Sequence, residues 1–111
     1  MFDLYDPRRS RVYLTEQRYY THIRRRHPEM DRVEYIEETV TDPHIITRDA
    51  SDELVEIYYR QAAHPDYPKE WVRVVVRQSA VVTAFVKNHP KPTEEVIWTS
   101  PHFLARRPPS G

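Results

Sequence analysis

The sequence contains no cysteine, and its one glycine is Gly111. The absence of cysteine excludes disulfides, thiolate metal sites and cysteine nucleophiles within this chain, and it favours a cytoplasmic location. Loops of the P-loop and dinucleotide-binding types need glycine where the backbone approaches a phosphate closely. The sequence therefore argues against an enzyme that uses a nucleotide cofactor, and we expect no cofactor.

The chain also lacks net charge and long apolar runs. Its 17 lysine and arginine residues balance 17 aspartate and glutamate residues. A protein that coats DNA would be strongly basic, so any contact with a nucleic acid must be local and depend on clustered arginines. No apolar run approaches the roughly 20 residues of a transmembrane helix, and we expect no membrane partner.

The composition is sufficient for one domain with a modest core. Hydrophobic residues make up 39% and aromatic residues 12% of the 111 residues, unlike the composition of a disordered chain. We expect a single domain, 1–111, with an ordered core over about residues 12–98. Residues 1–11 and a tail from about Thr99, which contains Arg106-Arg107-Pro108-Pro109, are expected to be loose.

Two helices are predicted in the N-terminal part. Thr15 can cap the first helix, which should end near Arg26 or His27 because Pro28 lacks an N–H group and clashes with the preceding turn. The second is predicted from Asp31 to about Thr41, and Asp31 and Glu34 have the spacing of a capping box.

Strands are predicted over the remainder because β-branched and aromatic runs alternate there with aspartate, proline and histidine clusters. These strands are His44–Arg48, Leu54–Gln61, Trp71–Gln78, Val81–Asn88 and Glu95–Trp98. The pattern predicts an α+β fold in which two N-terminal helices pack on one face of a four- to five-stranded antiparallel sheet. The other face would be open for function.

One residue of the predicted strands, Arg73, is a candidate for a site. Arg73 interrupts the valine run 72–76, and a buried arginine is unfavourable unless it is paired or faces a polar cleft. Thr83 shares the face of Arg73 if the connecting loop has an odd length, and the face of the valines if the length is even. Because no glycine favours a two-residue primed turn, we predict a three-residue loop, which places Thr83 with Arg73.

The segment from His22 to Glu29 carries the densest set of functional groups. At about 100° per residue, His22, Arg25 and Arg26 are neighbours in the last turn of the first helix. The helix C-terminus favours protonated His22 and the arginines disfavour it, so this imidazole is a candidate for acid–base work near neutral pH. The guanidinium groups suit a phosphate. The alternative interpretation is a solvated helix end, which is commoner.

A metal site is not predicted. His22 and His27 are five residues apart, whereas a helical zinc pair needs a spacing of four, and no carboxylate completes a ligand set. A metal hydrolase that uses the histidines is therefore the weakest hypothesis.

Longer motifs resemble a known family. The strings are His22-Ile23-x-x-Arg26-His27-Pro28-Glu29, Asp42-Pro43, Ile57-Tyr58-Tyr59-Arg60, Val72-x-Val74-Val75-Val76 and Val81-Val82-Thr83-Ala84-Phe85. Over roughly residues 12–98 the chain resembles the phage-type branch of the barnase–EndoU–colicin–RelE-like ribonuclease superfamily. The resemblance implies helices on a four-stranded antiparallel sheet and a metal-independent endoribonuclease, often a toxin.

The resemblance also implies roles for individual residues. The 2′-hydroxyl of RNA would attack the adjacent phosphate and leave a 2′,3′-cyclic phosphate. The expected catalytic residues are His22, Arg26, Thr83 and Arg73, and the expected substrate-binding residues are Arg25, His27, Tyr58 and Arg60. The expected partners are RNA and a protein inhibitor or antitoxin. The alternative is a catalytically silent adaptor of the same fold that binds a protein or RNA.

Overall fold

A computed structural model describes residues 1–101 and residue 103, which form a seven-stranded sheet and two short helices. The strands are β1 (Phe2–Tyr5), β2 (Arg11–Leu14), β3 (Ile45–Arg48), β4 (Val55–Gln61), β5 (Trp71–Arg77), β6 (Ala80–Lys87) and β7 (Glu95–Thr99). Helix α1 comprises Glu16–Arg18, a π-helical segment Tyr19–Ile23 and Arg24–Arg26, and helix α2 is Glu34–Thr41. None of the helices in the described part is long and apolar enough to span a membrane.

The strand order is β1-β2-β6-β5-β4-β3-β7, and the sheet curls like half of a barrel. Neighbouring strands are antiparallel except β2 and β6, which pair in parallel at Tyr13 and Ala80. The predicted four- to five-stranded antiparallel sheet is therefore wrong. The prediction missed strands β1 and β2; β1 and the first residue of β2, Arg11, lie in residues 1–11, which we expected to be loose.

The N-terminal hairpin is ordered because Asp6 organises its turn. The carboxylate of Asp6 accepts hydrogen bonds from the backbone N–H groups of Arg8 at 2.8 Å and Ser10 at 2.9 Å. Tyr58 on β4 donates its hydroxyl proton to Asp6 at 2.6 Å, and Arg8 forms an ion pair with Glu56 at 2.7 Å. The hairpin is thus attached to β4 by contacts between residues that are distant in the sequence.

The predictions for the remaining elements differ from the structure mainly at element ends. Each of the five predicted strands lies within about one residue of β3 to β7. Helix α1 ends at Arg26, as Pro28 predicted, and Thr15 caps its first turn by accepting the N–H of Arg18. The predicted capping box does not form, since α2 begins at Glu34 without a side-chain cap.

Each face of the sheet contacts its own apolar cluster. Helices α1 and α2 cover one face through fully buried residues that include Ile23, Ile36 and Val40. The opposite face carries a smaller cluster formed by Ile57, Tyr59 and Trp71, and Phe103 packs against it. The Phe103 ring lies 5.7 Å from that of Trp71. Phe103, which lies in the tail that we expected to be loose, is therefore packed against the sheet. The run 106–109 of that tail lies outside the described residues.

The loop that connects β5 and β6 differs from the predicted one. Its turn contains two residues, Gln78 and Ser79, whose φ angles are 48° and 75°. Positive φ at both positions is typical of a primed hairpin turn, so the predicted three-residue loop is wrong. A bulge then shifts the register, because Thr83 pairs with Val75 while Val81 pairs with Val76. The extra residue restores the odd parity and places Thr83 on the face of Arg73.

Replacement of Ser79 by glycine should stabilise the protein. A non-glycine residue in the left-handed region costs roughly 1–2 kcal/mol, and part of this penalty disappears in Ser79→Gly. We expect the free energy of unfolding in urea to rise by about 0.5–1 kcal/mol. The control is Ala80→Gly in the adjoining strand, which should lower that free energy by a similar amount. Destabilisation by Ser79→Gly would contradict this description of the turn.

Candidate active site

The turn after α1 is attached to the edge of β6. Pro28 ends the helix, and the carboxylate of Glu29 accepts the backbone N–H of Val86 at 3.2 Å. The hydroxyl of Tyr19 donates to the carbonyl of Met30 at 2.7 Å. These contacts explain the proline and glutamate of the motif structurally: one ends the helix and the other anchors the turn on the sheet.

His64 strengthens the same turn. Its ring is buried, and its Nδ1 accepts the backbone N–H of Asp66 at 3.1 Å, so the proton of a neutral ring must be on Nε2. Nε2 then donates to the carbonyl of Glu29 at 2.7 Å. His64 therefore acts as a hydrogen-bonded structural residue, and the sequence pattern had not assigned it this position.

His27 and Arg73 meet at one aromatic ring. The imidazole of His27 stacks on Phe85, with 4.9 Å between ring centroids and 30° between planes. The guanidinium carbon of Arg73 lies 5.3 Å from the centroid of the same ring. Arg73 and Phe85 are cross-strand partners on the face opposite the helices. The anchored turn thus brings His27 from the helical side to this face of the sheet.

Arg73 is held by a buried polar network. Its Nε donates to the hydroxyl of Tyr59 at 3.0 Å, and its Nη2 pairs with Glu94 at 2.8 Å. Glu94 also accepts the hydroxyl protons of Thr47 at 2.9 Å and Tyr59 at 2.5 Å. Burial lowers the pKa of Arg73, but the hydrogen bonds to Glu94 and Tyr59 outweigh it and the net pKa is raised. The guanidinium therefore stays protonated.

Glu94 is the residue of this network that the sequence did not reveal. Its side chain is only 1% exposed, although it lies in a loop of polar and proline residues. A buried carboxylate requires a paired cation, and here that cation is Arg73. Arg73 in the valine run therefore indicated that a buried acidic partner exists, but the sequence did not show that this partner is Glu94.

Thr83 lies on the face of Arg73 with an unsatisfied hydroxyl. Its Oγ1 is buried and has no hydrogen-bond partner among the described residues. Thr83 is two positions before Phe85 on β6, so its side chain is on the same face as that ring.

Replacement of Thr83 by valine should not destabilise the protein. A buried unsatisfied polar group costs about 1–3 kcal/mol, and Thr83→Val replaces that hydroxyl with a methyl group of similar shape. We expect the free energy of unfolding to rise by about 1 kcal/mol in urea denaturation. In the matched variant Thr47→Val it should fall by a similar amount, because Glu94 loses a donor. A clear loss of stability in Thr83→Val would contradict the assignment.

His22 lies on helix α1, beside a groove of about 350 Å³ lined by Thr15, Gln17, Arg18 and Thr21. Its pKa is lowered from the ordinary value of 6.5 by partial burial and then by the charges of Arg26, Arg18 and His27. A lowered pKa keeps the imidazole of His22 neutral at neutral pH.

The two predicted arginines of this segment are exposed. Neither Arg25 nor Arg26 forms an ion pair within the described part of the chain. Their guanidinium groups are therefore available to an external anion.

Two further predicted binding residues lie elsewhere. Tyr58 is 1% exposed, within the core between the sheet and the helices, so no base can stack on its ring. Arg60 forms ion pairs with Glu38 at 3.0 Å and Asp42 at 3.2 Å, at the end of α2. The structure does not bring either residue to His27 and Arg73.

Among residues 1–101 and 103, no group of three or more histidine, aspartate and glutamate side chains is arranged to hold a metal ion. Comparisons with protein-family models, with curated proteins and with solved structures each give no match.

Proposed function

We propose that this protein is a metal-independent endoribonuclease that cleaves RNA by attack of a 2′-hydroxyl on the adjacent phosphate. The observation that supports this proposal is His22 on α1 beside Arg26, which forms no ion pair within the described part of the chain, with His27 directly after Arg26 at the end of the same helix. Two imidazoles can move two protons, and a free guanidinium can stabilise a phosphorane.

The proposed reaction proceeds in one displacement at phosphorus. Neutral His22 accepts the proton of the 2′-hydroxyl as the 2′-O–P bond forms, and the imidazole of His27 donates a proton to the 5′-oxygen as the P–O5′ bond breaks. The products are a 2′,3′-cyclic phosphate and a free 5′-hydroxyl. Arg26 and Arg73 stabilise the charge on the phosphorane oxygens, and Arg73 keeps Nη1 without a hydrogen-bond partner among the described residues.

Other parts of the proposal come from the sequence. The motif resemblance supports a phage-related toxin that is controlled by a protein inhibitor or antitoxin, and the absence of cysteine supports action in the cytoplasm. The seven-stranded sheet differs from the four-stranded sheet implied by that resemblance. The resemblance therefore supports the chemistry at the end of α1 more than the architecture.

The proposal is tested with end-labelled single-stranded RNA in buffer that contains EDTA. We expect purified protein to yield fragments whose 3′ ends resist a phosphatase until acid opens the cyclic phosphate. Failure to cleave a set of RNAs of varied sequence, or fragments with free 3′-hydroxyls, would contradict the proposed reaction.

A silent adaptor is the second candidate. Glu94 balances the charge of Arg73, which suits a structural role for this ion pair as well as a catalytic one. Stable RNA binding without cleavage would favour the adaptor.

A further inference from the structure

The unpaired arginines of the chain are concentrated on one helix. Seven arginines form ion pairs with carboxylates: Arg8, Arg11, Arg32, Arg48, Arg60, Arg73 and Arg77. Five described arginines have none, namely Arg9, Arg18, Arg24, Arg25 and Arg26, and four of these five lie on α1. The neutral chain therefore has a local excess of positive charge along this helix.

Two of these arginines flank His22 at the spacing of one helical turn. Arg18 precedes His22 by four residues and Arg26 follows it by four, so all three side chains lie on one side of α1. Arg18 and His22 also line the same groove, together with the hydroxyl-bearing residues Thr15 and Thr21.

Arg24 is oriented differently. Arg24 lies about 200° around the helix from His22, and its charge acts on the buried Tyr19. Arg24 thus has the same charge on the same helix without lying on the side of His22. It provides a matched control.

We propose that Arg18 and its groove form a phosphate-binding subsite for single-stranded RNA, one helical turn before His22. This proposal rests on the proposed function, because it places the reacting phosphate at His22 and Arg26 and the neighbouring backbone over Arg18. A flexible single strand can follow the groove, and its phosphates bind guanidinium groups strongly. The hydroxyl of Thr15 accepts the N–H of Arg18 and keeps its own proton for a phosphate oxygen, whereas Thr21 donates its proton to the carbonyl of Gln17.

The test is the salt dependence of binding of a 2′-deoxy oligonucleotide of about ten nucleotides, which cannot undergo the cleavage reaction. Each neutralised phosphate of a single strand contributes about −0.7 to the slope of log K against log salt concentration. We expect Arg18→Ala and Arg18→Gln to make the slope less steep by about 0.7. Arg24→Ala should leave the slope unchanged.

Several outcomes would overturn the subsite. An unchanged slope in both Arg18 variants would contradict a phosphate contact at Arg18. An equal change of the slope in Arg24→Ala would mean that the effect of Arg18 comes from the net charge of the protein and not from a subsite. Tighter binding of duplex, or of an acidic peptide, would assign the surface to another partner. If the slope depends on Arg18 but wild-type protein cleaves no RNA, the subsite stands and the proposed function fails. If RNA is cleaved but the slope ignores Arg18, the subsite fails.

Discussion

Glu94→Ala should lower the free energy of unfolding by roughly 3–5 kcal/mol, the range for removal of one partner of a buried ion pair. The variant leaves the guanidinium of Arg73, which is 14% exposed, without its carboxylate. It also leaves the hydroxyls of Thr47 and Tyr59 without their acceptor. Urea denaturation, followed by tryptophan fluorescence, measures the change because Trp71 lies in the adjacent cluster.

The neighbouring residue provides a control for this variant. Glu95 is 72% exposed and its nitrogen–oxygen distance to Arg48 is 4.0 Å, so Glu95→Ala should change the free energy of unfolding by less than about 0.5 kcal/mol. A double variant, Arg73→Met with Glu94→Leu, should recover much of the stability, since apolar residues often replace a buried ion pair without loss. A loss below about 1 kcal/mol in Glu94→Ala would mean that Arg73 finds solvent or another partner.

His22→Ala should reduce the rate of RNA cleavage by about 10²–10⁴-fold, the usual contribution of a general acid or base. His27→Ala should cause a reduction of similar size, because the proposed reaction moves one proton at each imidazole. His27→Ala also removes the stacking on Phe85, so urea denaturation must accompany the rate measurement. A fold that is intact with a rate unchanged in both variants would contradict the assignment of the acid and the base.

The control for the histidine variants is His89→Ala. His89 is exposed, and its Nδ1 contacts the carbonyl of the following proline at 3.0 Å, away from α1. We expect its removal to leave the cleavage rate unchanged within about two-fold, as for a surface substitution. A large decrease in His89→Ala would instead place the chemistry in the loop after β6.

The pH profile provides a separate test of His22 as the base. The neutral imidazole is the active form, so cleavage should rise as the pH passes upward through the pKa of His22. That pKa is lowered by burial and by Arg26, so the midpoint of the acid limb should lie below the ordinary 6.5. In Arg26→Gln, residual activity should show this midpoint shifted upward, because one of the charges that oppose protonation is gone. A midpoint above 6.5 in the wild type would contradict the role.

The sequence predicted correctly the features that depend on residues close together in the chain. Pro28 ends α1 at the predicted position because its effect depends on its own ring and the preceding turn. The β5–β6 loop was predicted with the wrong length because Gln78 and Ser79 adopt positive φ without glycine, and the bulge after it was missed because bulges depend on cross-strand packing, which the sequence pattern does not encode. The predicted face of Thr83 agrees with the structure only because the bulge compensates for the shorter turn.

The candidate site was predicted in part for the same reason. His22, Arg25 and Arg26 follow helical spacing, so their proximity is a local property. Tyr58 was placed among the binding residues because RNA bases commonly stack on aromatic rings, but the structure buries its ring in the core beneath the helices.

By itself, the sequence determined the two helices, the five strands after them and the arginine-rich end of α1, since these follow from backbone preferences and side-chain periodicity. Tertiary structure alone decided that Asp6 and Tyr58, 52 positions apart, attach a hairpin to β4. It also decided that Glu94 pairs with Arg73, 21 positions away, and that His27 reaches Phe85. These contacts form because buried charges and hydroxyls require partners, and the folded chain rather than the local sequence selects them.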